Sequence, residues 1–256
     1  SLGLVGPNAI GERLGRNARY ASLGNGVAAG VMGAVGYLLS SRVVFLVSFL
    51  FAVATLLSLA RIRDREIDPE QAHGAIVRAE PDPDATSIFH LLKQRPLVVF
   101  ACAVFLLQFA NAAMLPVMAS IVTARSSQWA PALIALCIIV PQALVALMSP
   151  SVGRKAQAWG RRPLLMIAFA ALALRGVLFA TVNDPALLVA VQVLDGITAA
   201  VFGVMIPLIA ADVAFGSGHF NLSQGIVGTA TGIGASLSTA FAGYASDRFG
   251  HSVAFT

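Results

Sequence analysis

The segment PLLMIAFAALALRGVLFATV, residues 163–182, and its neighbour ALLVAVQVLDGITAAVFGVMIPLIAA, residues 186–211, decide the fold. Each reaches the ~20 predominantly apolar residues that a helix needs to cross the hydrocarbon core of a bilayer, a length that buried helices of soluble proteins rarely match. Inside a bilayer no water satisfies backbone N–H and C=O groups, so a spanning segment must satisfy its own, and a helix does. Both segments are therefore predicted as transmembrane helices joined by a tight polar turn at Asn183 and Asp184. Each carries one ionisable residue well inside it, Arg175 in the first and Asp195 in the second.

Five further apolar runs surround this pair, at residues 21–39, 43–60, 97–122, 130–148 and 224–244, and another begins at Ser252. Most connections are short, as between antiparallel neighbours in a bundle. The exception, from Arg61 to Pro96, is charged and carries Pro69, Pro81, Pro83 and Pro96, so it is the expected boundary between domains. The fold class is thus all-α, a polytopic transmembrane helix bundle. Composition agrees: 57% of the 256 residues are hydrophobic and 11% charged, against about 25% charged in a soluble domain, and the mean hydropathy is +0.81.

Net charge is +5 and the pI about 9.9, yet nucleic acid is excluded as a partner, because the basic residues sit between apolar runs rather than in clusters interleaved with aromatics. Crossing by crossing, Arg13, Arg16, Arg19, Arg61, Arg63, Arg65, Arg78, Lys93, Arg95, Arg154, Lys155, Arg161 and Arg162 fall on one side. Arg42, Arg125 and Arg248 fall on the other, and Arg175 lies within a segment. Basic residues concentrate on the cytoplasmic side of membrane proteins, which orients the chain and places its long linker in the cytoplasm. Cys102 and Cys137 both lie in apolar runs and read as buried thiols. No His, Cys and acid cluster has metal spacing, no Gly-rich loop ends in Lys-Ser or Lys-Thr, and no G-x-S-x-G is present. No cofactor, no metal and no enzyme activity are expected.

At the predicted cytoplasmic turn between the fourth and fifth runs stands GRKAQAWGRRPLL, residues 153–165. It resembles the loop motif of the major facilitator superfamily, G-x-x-x-D-R-x-G-R-R-x-x-L, through Gly153, Gly160, Arg161, Arg162 and Leu165, while Gln157 and Ala158 replace its Asp and Arg. A weaker echo, GYASDRFGHSVAF at residues 243–255, carries Asp247 and Arg248 on the opposite side and reads as a structural link between the last two helices. The resemblance implies a twelve-helix plan entered at about the fifth helix. Residues 1–61 would end the N-terminal half, 62–96 would be the cytoplasmic linker, and 97–256 the C-terminal six-helix half with its last helix incomplete. The opening SLGLVGPNAI, without initiator Met or signal-peptide pattern, fits a chain whose first four helices are absent. The implied location is multi-pass in a bacterial inner membrane. The implied function is secondary active transport of a small solute by alternating access, with proton-coupled export as its specific form.

A charge in hydrocarbon costs about 2.5–3.5 kcal/mol on insertion scales, so Arg175 and Asp195 mark either a coupling site or a pair retained for burial. Counted from the turn at Asn183 and Asp184, their depths differ by roughly 3 Å, within reach of an ion pair. Gln108 and Asn111 lie three apart on one helical face, and Gln192 precedes Asp195 by one turn. These five are the candidate substrate or coupling residues. Glycines 26, 30, 33 and 36, and 225, 228, 232 and 234, are expected at close helix contacts. Prolines 116, 141 and 207 lie within predicted helices, and Asp212 to Asn221 form a polar cytoplasmic turn. The opposing reading is a truncated, transport-incompetent bundle, or a membrane interaction protein using its first two helices. An intramembrane enzyme would need a catalytic dyad on facing helices, for which only Arg175 and Asp195 offer themselves.

Overall fold

The computed structural model describes residues 9–39, 41–61, 91, 93–125, 130–182, 184–214 and 219–249. All regular structure among them is helical: α1 (Ile10–Leu38), α2 (Ser41–Leu59), α3 (Arg95–Asn111), α4 (Met114–Arg125), α5 (Ala130–Ala158), α6 (Arg161–Thr181), α7 (Pro185–Ala214) and α8 (Phe220–Phe249). Six stretches are long and apolar enough to cross a membrane: Arg42–Leu59, Arg95–Ser120, Leu133–Ala158, Arg161–Thr181, Ala186–Val213 and Phe220–Arg248. The run at 21–39 lies in α1, which is not among the six; its glycines and the charged turns at its start dilute its apolar character. Most of the long linker, the chain from Gly250 onward and the start at Ser252 lie outside the described residues.

The bundle has its apolar surface outside. Phe45, Leu147 and Phe241 stand more than 60% exposed, while Arg175, Gln192, Ser149 and Ser223 are buried. Water would reject such an arrangement; lipid tails, as apolar as leucine, accept it, and polar groups and small residues then hold the helices together. Helix α7 is central, packing on α5 and α6 and touching α8, α1 and α3, whereas α2 packs mainly on α1. Between α6 and α7 the contacts are specific: Thr198 Oγ1 donates across to the Ala168 carbonyl at 3.2 Å, and the Phe169 and Phe202 rings meet edge to face.

The run at 97–122, expected as one helix, breaks at Ala112 and Ala113 into α3 and α4. Pro116 explains the break: it has no N–H to offer the carbonyl four residues back, that of Ala112, and its ring would clash with it. The freed Ala113 N–H is satisfied from another helix, by the Ser238 hydroxyl of α8 at 3.1 Å. Pro141, Pro150 and Pro207 are carried inside unbroken helices.

Glycine contacts differ from those expected. A Cβ at Gly26 or Gly33 would meet only ordinary contact, and at Gly30, Gly225, Gly228 or Gly232 nothing within 4 Å. Of the expected glycines Gly234 does make a close approach, a Cβ there lying 2.5 Å from the Phe105 carbonyl; the other close approaches are at Gly15, whose Cβ would lie 2.5 Å from the Ser149 carbonyl, at Gly153 against the Gly11 carbonyl, and at Gly196 against Leu144. The pairings Gly11 with Gly153, Gly15 with Ser149, Gly26 with Gln142 and Gly33 with Ala135 run α1 antiparallel along α5. A four-residue glycine spacing identifies a face that permits contact without saying whether a partner lies there, and on α8 only Gly234 has one.

Gly234→Ala is expected to lower stability by about 1–3 kcal/mol, the usual cost of overpacking where the obstacle is backbone. Gly228→Ala should be neutral or stabilising, since it adds helix propensity in open space. Reversible unfolding in mixed detergent micelles measures both, and equal shifts would contradict the contact assignment.

Candidate functional site: a polar layer around Arg175

Helices α3, α6 and α7 each deliver polar side chains to one level of the bundle. Asn111 is the last residue of α3, beside the helix break; Arg175 lies in the C-terminal half of α6; Gln192 and Asp195, three apart, share a face of α7. Arg175 is 1% exposed and its guanidinium is the hub. Nη1 donates to Asn111 Oδ1 and to Asp195 Oδ1, the latter at 2.7 Å, and Nη2 donates to Gln192 Oε1 at 3.0 Å. The guanidinium Cζ lies over the Phe179 ring, one turn further along α6, 5.1 Å from its centroid. The Arg175 Nε–H is buried without a protein acceptor. A planar fork of donors suits this convergence, which the single ammonium of a lysine would not meet.

The layer separates two apolar cores. On one side Leu107, Leu172, Val201 and Met205 belong to the larger core; on the other Met118, Cys137, Phe179, Leu188 and Val191 form the smaller one. Burial within the layer is uneven. Gln192 is as enclosed as Arg175, but the Asp195 side chain keeps 25% of its surface exposed, and only Oδ1 of its carboxylate is engaged.

Four of the five sequence-predicted residues, Asn111, Arg175, Gln192 and Asp195, are therefore brought together. Gln108 is not: one turn before Asn111, it faces α8, where it lies against Gly234. Phe179 and Ser238 were not singled out by the sequence. An aromatic one turn from a buried arginine is a readable signal, but the Ser238 contact depends on where α8 packs.

The loop motif is more helical than a turn. Helix α5 continues through Gly153 to Ala158, and only Trp159 and Gly160 separate it from α6. Gly160 has φ 84° and ψ 179°, a region essentially reserved for glycine. Gly153 admits the α1 backbone. Arg161 donates to both carboxylate oxygens of Asp212, at 2.8 and 3.0 Å, and to the Ala156 carbonyl at 2.5 Å, joining the end of α5, the start of α6 and the end of α7. Asp212 thus belongs to the end of α7 rather than to a loop, and supplies the acidic partner that position 157 lacks. Arg162 is exposed, Leu165 packs on the larger core, and Lys155 sits over the Trp159 ring. Asp247 and Arg248 form the last turn of α8. Among the described residues no group of His, Cys, Asp and Glu has the arrangement of a metal site.

Removing one partner of a buried ion pair leaves an uncompensated charge, whereas replacing both by apolar groups of similar volume is often neutral. Arg175→Met is expected to cost on the order of 3 kcal/mol or more, and Arg175→Met with Asp195→Leu to recover most of it. The double-mutant cycle in micelle unfolding gives the coupling, and additive single effects would contradict the pairing.

A family profile described as Major Facilitator Superfamily matches residues 100–256, more than half of the chain. Two proteins described as uncharacterized MFS-type transporters, from Mycobacterium tuberculosis strains CDC 1551 / Oshkosh and ATCC 25618 / H37Rv, are each 40% identical over all 256 residues. The chain spans 61% of the length of these relatives. No solved structure matches it. With the helical bundle, its membrane-length apolar segments and these matches together, the chain is an integral, multi-pass membrane protein that belongs to the major facilitator superfamily.

Proposed function

We propose that the protein is part of a secondary transporter that moves a small solute by alternating access across a bacterial plasma membrane, and that the polar layer around Arg175 is its solute or coupling site. The observation that carries this reading is the coincidence of a helix break with a charged layer. Asn111 ends α3 next to the interruption at Ala112 and Ala113, and its side chain joins Arg175 and Asp195. Discontinuous helices beside polar groups near the bilayer midplane are where transporters hold their cargo. A broken backbone at that depth is otherwise tolerated only when buried in protein or facing a water-filled cavity. Membership in a transporter family supports transport over enzymatic chemistry.

In this proposal residues 1–61 close the N-terminal half, 62–96 link the halves and 97–256 form the C-terminal half. The α1 and α5 contact is then a seam between halves. Protonation of Asp195, or a solute donor at its carboxylate, weakens its hold on Arg175. A ligand that binds one arrangement of this network better than the other shifts the population between the two faces. Purely structural burial of the pair is the competing account, and it is favoured by the complete enclosure of Arg175 and Gln192.

The test is flux across a panel of small organic solutes in vesicles carrying the full-length gene product. At equal membrane abundance, Asp195→Asn is expected to reduce proton-gradient-dependent flux of the transported solute by at least about tenfold, equivalent to ~1.4 kcal/mol of lost interaction. Undiminished flux with reduced protein abundance would make the pair structural.

A further inference from the structure

We propose that the polar layer is built to accept an organic cation at Asp195 and not an organic anion at Arg175. This rests on the preceding reading that the layer lies on the transport path, and it specifies the chemical class of what binds there.

Arginine in a membrane site invites the opposite assignment, a carboxylate or phosphate held by its fork. The geometry denies it. Arg175 is 1% exposed, both of its terminal nitrogens donate to protein acceptors, and its Cζ lies over the Phe179 ring. The remaining N–H, on Nε, is itself buried. An anionic solute would have to displace Asp195, exchanging one carboxylate for another while shedding its own hydration. That exchange gains no new charge pairing to set against the desolvation.

Asp195 presents the reverse situation. A carboxylate offers about four acceptor positions, and here Oδ1 is engaged by Arg175 while no donor among the described residues reaches Oδ2. A quarter of the side chain is exposed, although Arg175 and Gln192 are enclosed. No other Asp or Glu among the described residues lies in the interior of a membrane-length segment, since Asp212 and Asp247 stand at helix ends. A primary or secondary ammonium reaching Oδ2 makes a charge-assisted hydrogen bond. The carboxylate then lies between two cations, which limits their mutual repulsion. Arg175 thereby holds the carboxylate oriented without being consumed by the solute.

The experiment uses the full-length gene product in proteoliposomes and follows reaction of Asp195 with a membrane-soluble carbodiimide, read by peptide mass spectrometry. Matched amine and carboxylate probes of three sizes compete: methylamine and acetate, cyclohexylamine and cyclohexanecarboxylate, benzylamine and benzoate. The expected result is labelling at Asp195, slowed by at least about threefold by one or more amines at occupying concentrations and by none of the carboxylates. Slowing by carboxylates, slowing by neither set, or no labelling at Asp195 each overturns the cation assignment. Solute flux measured on the same vesicles separates the two claims: if flux depends on Asp195 while the amines fail to protect it, transport at this layer stands and only the class of cargo is wrong.

Discussion

A guanidinium buried between apolar cores is the constraint on which the rest of this structure depends. In hydrocarbon an isolated arginine is unstable by several kcal/mol, so Arg175 has to be surrounded by acceptors drawn from whatever helices can reach it. Three do, and their relative rotation and depth are fixed by doing so: Asn111 at the end of α3, Asp195 and Gln192 on one face of α7, and Arg175 itself on α6. Lipid supplies no hydrophobic force to press helices together, so such polar contacts specify register more than they add stability. At the opposite end of the same two helices, α6 and α7, Arg161 and Asp212 tie them in a more hydrated setting, where a pair of this kind contributes little energy but fixes an end.

Backbone proximity supplies the second kind of contact. At Gly15, Gly153, Gly196 and Gly234 the neighbouring chain comes so close that a methyl group has no room. Two of these positions belong to the long antiparallel contact of α1 with α5. The interruption at Ala112 and Ala113 is a local cost of Pro116, and Ser238 satisfies the N–H that it frees. The break releases the helix from straight geometry next to Asn111, so the polar layer and the discontinuity are neighbours in space as well as in sequence.

Much of this was legible before any coordinates. Apolar length marked the spanning helices, because the bilayer imposes a length scale that composition alone reveals. The near-equal distance of Arg175 and Asp195 from the turn at Asn183 and Asp184 anticipated their contact, since an antiparallel hairpin converts sequence offset into depth. What depended on the lateral arrangement of helices was not legible. Gln108 shares a face with Asn111, but at its height that face meets α8 rather than α6. The glycines of α8 gave a pattern without naming a partner, and Gly11 and Gly15 lie ahead of the apolar run at 21–39 that marked the first helix. Asp212 looked like a turn residue because α7 runs further than its apolar stretch before ending at Ala214.

If the layer around Arg175 serves transport, water must reach it in at least one state of the protein. The direct measurement replaces Cys102 and Cys137 by serine, introduces one cysteine at Ala199, a turn beyond Asp195 on the same face of α7, or at the lipid-facing Leu147, and follows reaction with a membrane-impermeant thiol reagent. The account predicts reaction at position 199 at least about tenfold faster than at 147, because only a thiol in contact with water ionises and reacts. Equal protection of both positions would mean a dry layer, and Arg175 and Asp195 would then be a buried pair that serves the fold alone.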